Sequence, residues 1–298
     1  MATADATVPS APARPVRDYA RSLWARKDFV LHLARGNFDS RNADTTLGSL
    51  WWLINPMILS AVYFFIFTVI IRSLRSNFVN LAILIVGVLS FRFLTNGLTG
   101  SANTILNNAK LIVNLRFPRL VLPIAAVLES AAEFALSMIM LYVVITPASC
   151  IQFAISTPKE VADAAGSIAC IVPTYRLVLL PLILVLLTLF TLGIGAMMAV
   201  LIVPQRDIGN LIPHLTRLWL YLSPVLWAPE FLDEVSVWLR RVMEINPMFP
   251  FLSVMRTTLV NAEFQPWLLL QCAIWAVAVC ALGIWMFTRN EDDLARYL

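Results

Sequence analysis

Charge is scarce in this sequence. Asp, Glu, Lys and Arg make up 13% of its 298 residues, whereas a soluble domain carries about a quarter. Such a chain cannot cover a water-driven core with a charged shell, which excludes most soluble enzyme folds. Histidine is nearly absent: His32 and His214 are the only two, and two imidazoles alone do not build a metal site. No Gly-x-x-x-x-Gly-Lys-Ser/Thr loop, His-Glu-x-x-His or Cys-x-x-Cys occurs, so the chain has no equipment of its own for hydrolysing a nucleotide. The net charge of +4 is small and dispersed, which argues against a nucleic-acid partner.

Apolar residues fill the space that charge leaves. They form 59% of the chain, and the mean hydropathy is +0.78. The stretch from Leu50 to Ile71 has no formal charge over 22 residues. As a helix it would span about 33 Å, enough to cross a hydrocarbon core of about 30 Å. Asn55-Pro56 near its start sits where a missing backbone N–H is tolerated. Continuous apolar runs of this length, without alternation, favour helices over a barrel. Six such runs are expected, at about 50–71, 81–100, 120–145, 177–203, 208–227 and 267–287.

Three regions follow. Residues 1–15, rich in Ala, Pro and Thr, read as a disordered tail. Residues 16–46 read as a cytoplasmic amphipathic interface helix and linker; the first 46 residues carry seven basic residues and no continuous apolar core, hence no secretory signal. Its arginines either anchor topology or meet an anionic lipid or lipid-linked diphosphate, with Arg21, Arg35 and Arg41 as candidates. Residues 47–298 form the six-span domain. With both termini inside, about 13 basic residues face the cytoplasm against about 7 outside, as the positive-inside rule requires. Cys150 and Cys170 then share the external connection that begins at Pro147. They form either a disulfide closing about 20 residues, worth on the order of 3 kcal/mol, or two separate thiols. Cys272 and Cys280, about 12 Å apart along one helix, cannot pair and read as packing residues.

Charges inside spans are the default functional candidates. Here they are Arg92, Glu129, Glu133 and Arg217, with His214 nearby. Glu129 and Glu133 share one helix face. A structural reading pairs Arg92 with Glu129 and satisfies Arg217 through Glu133 or water; a functional one makes these residues the polar lining of a hydrated channel. Glu291-Asp292-Asp293 reads as a solvated tail beyond the last span.

Several short motifs then occur in a telling order. Leu47-Gly-Ser-Leu-Trp51 precedes Asn55-Pro56 and Tyr63-x-x-x-Phe67. Leu111-Ile112 precedes Phe117-Pro118-Arg119 and Leu122-Pro123. Arg206-Asp207 opens the fifth run, Ser223-Pro224 closes it, and Ile245-Asn246-Pro247 comes before Arg256. Over about residues 20–290 this order resembles the ABC-2 permeases that export polysaccharides, the Wzm-type membrane subunits of O-antigen, teichoic acid or galactan exporters. The chain departs from that pattern at Asp39–Thr46, which is less basic, and in a longer connection between spans 3 and 4.

The resemblance implies an all-α integral membrane fold of six spans, the ABC-2 or type V exporter architecture. It implies a homodimer working with two copies of a separate ATPase that holds ATP and Mg, in the bacterial cytoplasmic membrane. The exported species is a polyprenyl-diphosphate-linked glycan. Asn107, Lys110, Arg116 and Phe117 would belong to a coupling helix that meets the ATPase, braced by the N-terminal helix. Residues 229–266 would form external gate helices. Spans 1 and 5 would line the path, contributing Trp52, Tyr63, Phe67, Trp219, Tyr221 and Trp227. Aromatic faces suit sliding sugars, although each such ring also fits an interfacial belt or helix packing. Nineteen arginines against three lysines hint at a GC-rich source and make cell-wall galactan a reasonable cargo. Two other readings stand beside this one. An ABC-2 exporter of a drug or small lipid has no sharp discriminator in the sequence. A polyprenyl-phosphate transferase would need a cytoplasmic acidic cluster, yet Asp207 is the only acid between spans 4 and 5 and none lies between spans 2 and 3.

Overall fold

The computed structural model describes residues 21–40, 45–66, 78–115, 117–155, 175–225, 237–260 and 265–294. Every regular element among them is helical. In chain order these are α1 (Lys27–Ser40), α2 (Trp51–Phe65), α3 (Phe78–Asn107), α4 (Ala109–Asn114), α5 (Val121–Ile155), α6 (Leu179–Ile202), α7 (Asp207–Leu222), α8 (Val237–Ile245), α9 (Met248–Val260) and α10 (Pro266–Leu294). Four helices among the described residues have the length and apolar composition to cross a bilayer: Ala82–Asn107, Val121–Val143, Arg176–Ile202 and Pro266–Glu291. They correspond to expected spans 2, 3, 4 and 6. Of expected span 1, the structure describes the 15-residue α2, and residues 67–71 lie outside the described residues. Expected span 5 appears as the 16-residue α7, about 24 Å long.

Helix α3 is the hub. In its span 72% of residues are buried within the protein, against 22% in that of α10. It packs against α5 and α6, while α6 packs along α10. Among the described glycines, those of the α6–α10 contact allow the closest approach. A Cβ on Gly283 would fall 2.1 Å from the Gly193 carbonyl oxygen, and one on Gly193 would fall 2.4 Å from that of Val279. With Ala196, Ala276 and Cys280 buried nearby, small residues bring two backbones together, as membrane helices do in the absence of a water-driven core. A Cβ on Gly97 would fall 2.6 Å from the Thr191 side chain, and one on Gly195 2.6 Å from that of Ser101, which seats α3 on α6.

Hydroxyls that would be costly in an apolar setting are turned back onto their own helices. Ser90, Thr95, Ser130, Ser137, Thr188, Thr191 and Thr288 each donate to the carbonyl four residues earlier. Ahead of α2, Gly48 adopts φ +48°, a left-handed conformation that glycine enters freely. It turns the chain through the short 3-10 segment Gly48–Leu50 into the helix.

Several expected boundaries move. Helix α5 continues through Pro147 to Ile155, where the sequence reading starts a connection, because membrane helices tolerate an internal proline. Helix α3 extends through Asn107 with Ser101, Thr104 and Ile105 buried. Helix α7 stops at Leu222, and α10 runs on to Leu294.

Candidate functional site: a helical turn, a buried ion pair and an inward tryptophan

The predicted residues that the structure describes fall into three groups. The first lies where α3 turns back into α5. The Asn108 side chain donates to the Thr104 carbonyl at 2.9 Å, steadying the break between α3 and α4. Asn107, Lys110 and Leu115 are exposed around this six-residue helix, and Arg116 lies outside the described residues. Phe117 is half-buried and packs edge-on against Phe29 of α1, with centroids 5.6 Å apart at 65°. Val30 and Ala34 of α1 bury against Val121 and Ala125 of α5. The amphipathic helix is therefore docked on the protein beside α4, with Arg21 and Arg35 left exposed. Arg41 lies outside the described residues.

The acidic end of the chain meets the same corner. Glu291 accepts the Arg119 backbone N–H through Oε1 at 2.7 Å, and its carbonyl accepts from the Arg119 guanidinium. A carboxylate at the entry of α5 also suits the positive end of that helix dipole. Glu291 is thus a structural tie between α5 and α10, which corrects its reading as part of a solvated tail.

The second group lies half-way along α3. Arg92 pairs with Glu133, Nη2 to Oε1 at 3.6 Å, and Asn96 donates to the other carboxylate oxygen at 3.4 Å. The side chains are 29% and 10% exposed respectively. This corrects the expected pairing of Arg92 with Glu129, and helix register supplies the reason. Gly100 lets α3 approach Ala126, with 3.6 Å from an added Cβ, and Ser101 donates to the Pro123 carbonyl at 3.2 Å. Counting back along the antiparallel pair places Arg92 opposite 132–134, about one turn beyond Glu129. Ser130, Ser137 and the aromatic pair Phe93–Phe134, stacked at 5.3 Å, surround the ion pair. Arg217 does not join this cluster: it and His214 are exposed on α7, which sets aside Glu133 as its partner and leaves the other expected one, water.

The third group is aromatic. Trp219 is half-buried, its ring edge-on to Phe91 at 6.1 Å and to Phe190 at 6.4 Å. Its indole N–H donates to Asn246 Oδ1 at 2.8 Å. In this chain it faces the bundle, while Tyr221 two residues on is 59% exposed. Trp52 and Tyr63 fall within α2, but their side chains, with Phe67 and Trp227, lie outside the described residues. The same holds for the Cys150 side chain and for Cys170. Cys272 and Cys280 are free and buried, as packing residues should be.

Sequence reasoning passed over Asn246 as a functional residue, although Asn before Pro at a helix start is a capping signal. It also passed over the Gly193–Gly283 contact, which no local pattern announces.

Small-residue packing between long apolar helices, with no regular element but helices among the described residues, defines the chain as a helical integral membrane protein. Comparison with known proteins identifies the group. Residues 29–260 match the model of the ABC-2 type transporter family, and the chain belongs to that family. It is similar to the O-antigen export system permease protein RfbA of Myxococcus xanthus, with 27% identity over 76% of this chain and 78% of that protein. Two proteins of the same name from Klebsiella pneumoniae are 21% identical over 91% of this chain and 95% of theirs. The chain is thus a transport membrane subunit with several apolar spans, consistent with a multi-pass inner-membrane protein that works with an ABC ATPase.

Proposed function

We propose that this chain is the permease subunit of an ATP-driven exporter that moves a polyprenyl-diphosphate-linked polysaccharide, such as O-antigen or cell-wall galactan, across the cytoplasmic membrane. The observation that carries this reading is the end-to-end similarity to permeases named for O-antigen export, over nearly the whole of both chains for two of them. In this reading two copies of the chain form the path and two copies of a separate ATPase supply ATP and Mg. Both termini and the α3–α5 turn face the cytoplasm. Asn107 and Lys110 contact the ATPase directly, while Phe117 acts through α1 by holding it beside them. Arg21, Arg35 and Arg41 receive the diphosphate head group. Trp52, Tyr63, Phe67, Tyr221 and Trp227 are the remaining aromatic candidates for the path, and α8–α9 act as external gate helices.

The test is co-purification of the full chain with candidate ATPases in mild detergent. The expected result is a stable complex whose ATP hydrolysis falls at least about tenfold in an Asn107→Glu, Lys110→Glu variant, since a reversed charge at a docking contact costs about 1.4 kcal/mol or more. Failure of every candidate ATPase to associate would overturn the reading.

A further inference from the structure

Asn246 lies between α8 and α9, 24 residues beyond the end of α7, yet its side chain bonds to both α7 and α9, while its backbone N–H donates to the Met243 carbonyl of α8 at 3.2 Å. Oδ1 accepts two N–H groups, the Trp219 indole at 2.8 Å and the Met248 backbone at 3.0 Å. Nδ2 donates twice, to the Leu222 carbonyl at 3.1 Å and to Ser223 Oγ at 3.0 Å. The amide orientation follows from the partners: the indole and backbone N–H can only donate, and the carbonyl can only accept. Both donors and both acceptor sites of the group are filled. Ser223 completes the arrangement by donating to the Trp219 carbonyl at 2.8 Å.

No other side chain offers the same set at this length. Asp lacks the two donors, Ala lacks everything, and Gln carries one more methylene. Only the Met248 contact is explained by capping α9, where Asn246 precedes Pro247 and the helix begins. The other three bonds all run to the last turn of α7. A second tie reinforces them. Arg256, buried on α9, donates through Nη2 to the Val225 carbonyl at 3.1 Å. Gly87 of α3 leaves room for both groups, since a Cβ there would lie 3.3 Å from that carbonyl oxygen and 3.4 Å from Nη2.

We propose that Asn246 is a positioning residue that latches the end of α7 onto the α8–α9 pair, so that the two move as one body. In a transporter, any displacement of α7 would then reach α8–α9 without needing the chain that connects them. What the shared movement accomplishes rests on the export reading; the existence of the latch does not.

Hydrogen–deuterium exchange of the full chain in lipid nanodiscs, without nucleotide or ATPase, tests it directly. Segments 218–226 and 246–256 should exchange at matching rates in the native chain. Asn246→Ala should speed both by about tenfold, the equilibrium effect of losing such a bonded group. Asn246→Asp keeps both accepted bonds but sets a carboxylate oxygen against the Leu222 carbonyl, and should therefore speed both segments as well. Trp219→Phe should speed both segments by about threefold, having removed one hydrogen bond and kept the ring. If Asn246→Ala speeds only 246–256, the residue is merely a helix cap and the latch is refuted; no change in either segment also refutes it. Should Asn246→Ala fail to fold, Trp219→Phe decides the matter through the distant segment 246–256. Because the measurement involves neither cargo nor ATPase, failure of the latch and failure of the export reading are separately visible.

Discussion

Helices α6 and α7 follow one another in the chain but are held in opposite ways. Helix α6 is packed backbone to backbone with α10 through Gly193 and Gly283, where even a methyl group has no room. Helix α7 carries an outward stripe of Leu211, Leu215, Leu218 and Leu222, all exposed in the single chain, spaced for one helix face. It is held inward by Ile212, Thr216 and Trp219 and at its ends, where Gly209 approaches Ile202 and Asn246 grips the last turn. Small residues therefore make a fixed pair, whereas large apolar residues at the end of a bundle leave a face available to lipid or to a second copy of the chain.

That contrast can be broken most severely at Gly283. Gly283→Ala should destabilise the folded protein by about 3 kcal/mol, since backbone meets backbone and neither can yield. The loss would be read as a lower midpoint in detergent thermal unfolding, with little protein surviving purification. A smaller effect, about 2 kcal/mol, is expected for Arg92→Met, which leaves Glu133 nearly buried without its cation; partial exposure of Arg92 moderates the loss. The double variant Arg92→Met, Glu133→Leu should recover part of that stability, and a double variant no better than the single would argue against the pair.

Phe117→Ala should cost about 1 kcal/mol by removing the edge-on contact with Phe29. Its signature is local, a faster protease cleavage around α1 with the unfolding midpoint hardly changed. Leu215→Ser on α7 should alter unfolding by less than about 0.5 kcal/mol, as exposed positions do. Native mass spectrometry of this variant sharpens the comparison: a shift from dimer to monomer would assign the α7 stripe to a second copy, and an unchanged mass would leave it to lipid.

Much of the bundle could be read from the chain because its solvent is lipid. Long uncharged runs must be helical to satisfy their own backbones, and this requirement is local. Among the described residues, the four helices long and apolar enough to cross a membrane overlap four of the apolar runs in the sequence. The helix ends were harder to read, since Pro147 looks like a stop although a membrane helix tolerates it, and Ser101–Asn107 looks like a loop until packing buries Ser101, Thr104 and Ile105. The site divides in the same way. Arg92 and Glu133 stand out as charges in apolar runs, but their pairing depends on the register that Gly100 and Ala126 establish.

By itself, then, the sequence determined that this chain is a helical membrane protein, roughly where its spans lie, and which charged residues would need partners within them. Those properties follow from composition and from hydrogen-bonding rules that act within one segment. Only the tertiary structure decided that Glu133 rather than Glu129 meets Arg92, that Trp219 turns toward Asn246, and that Glu291 closes the entry of α5. Each depends on the rotation and register of helices far apart in sequence. Those are set by where small side chains let two backbones approach, a property of pairs of helices that no single helix contains.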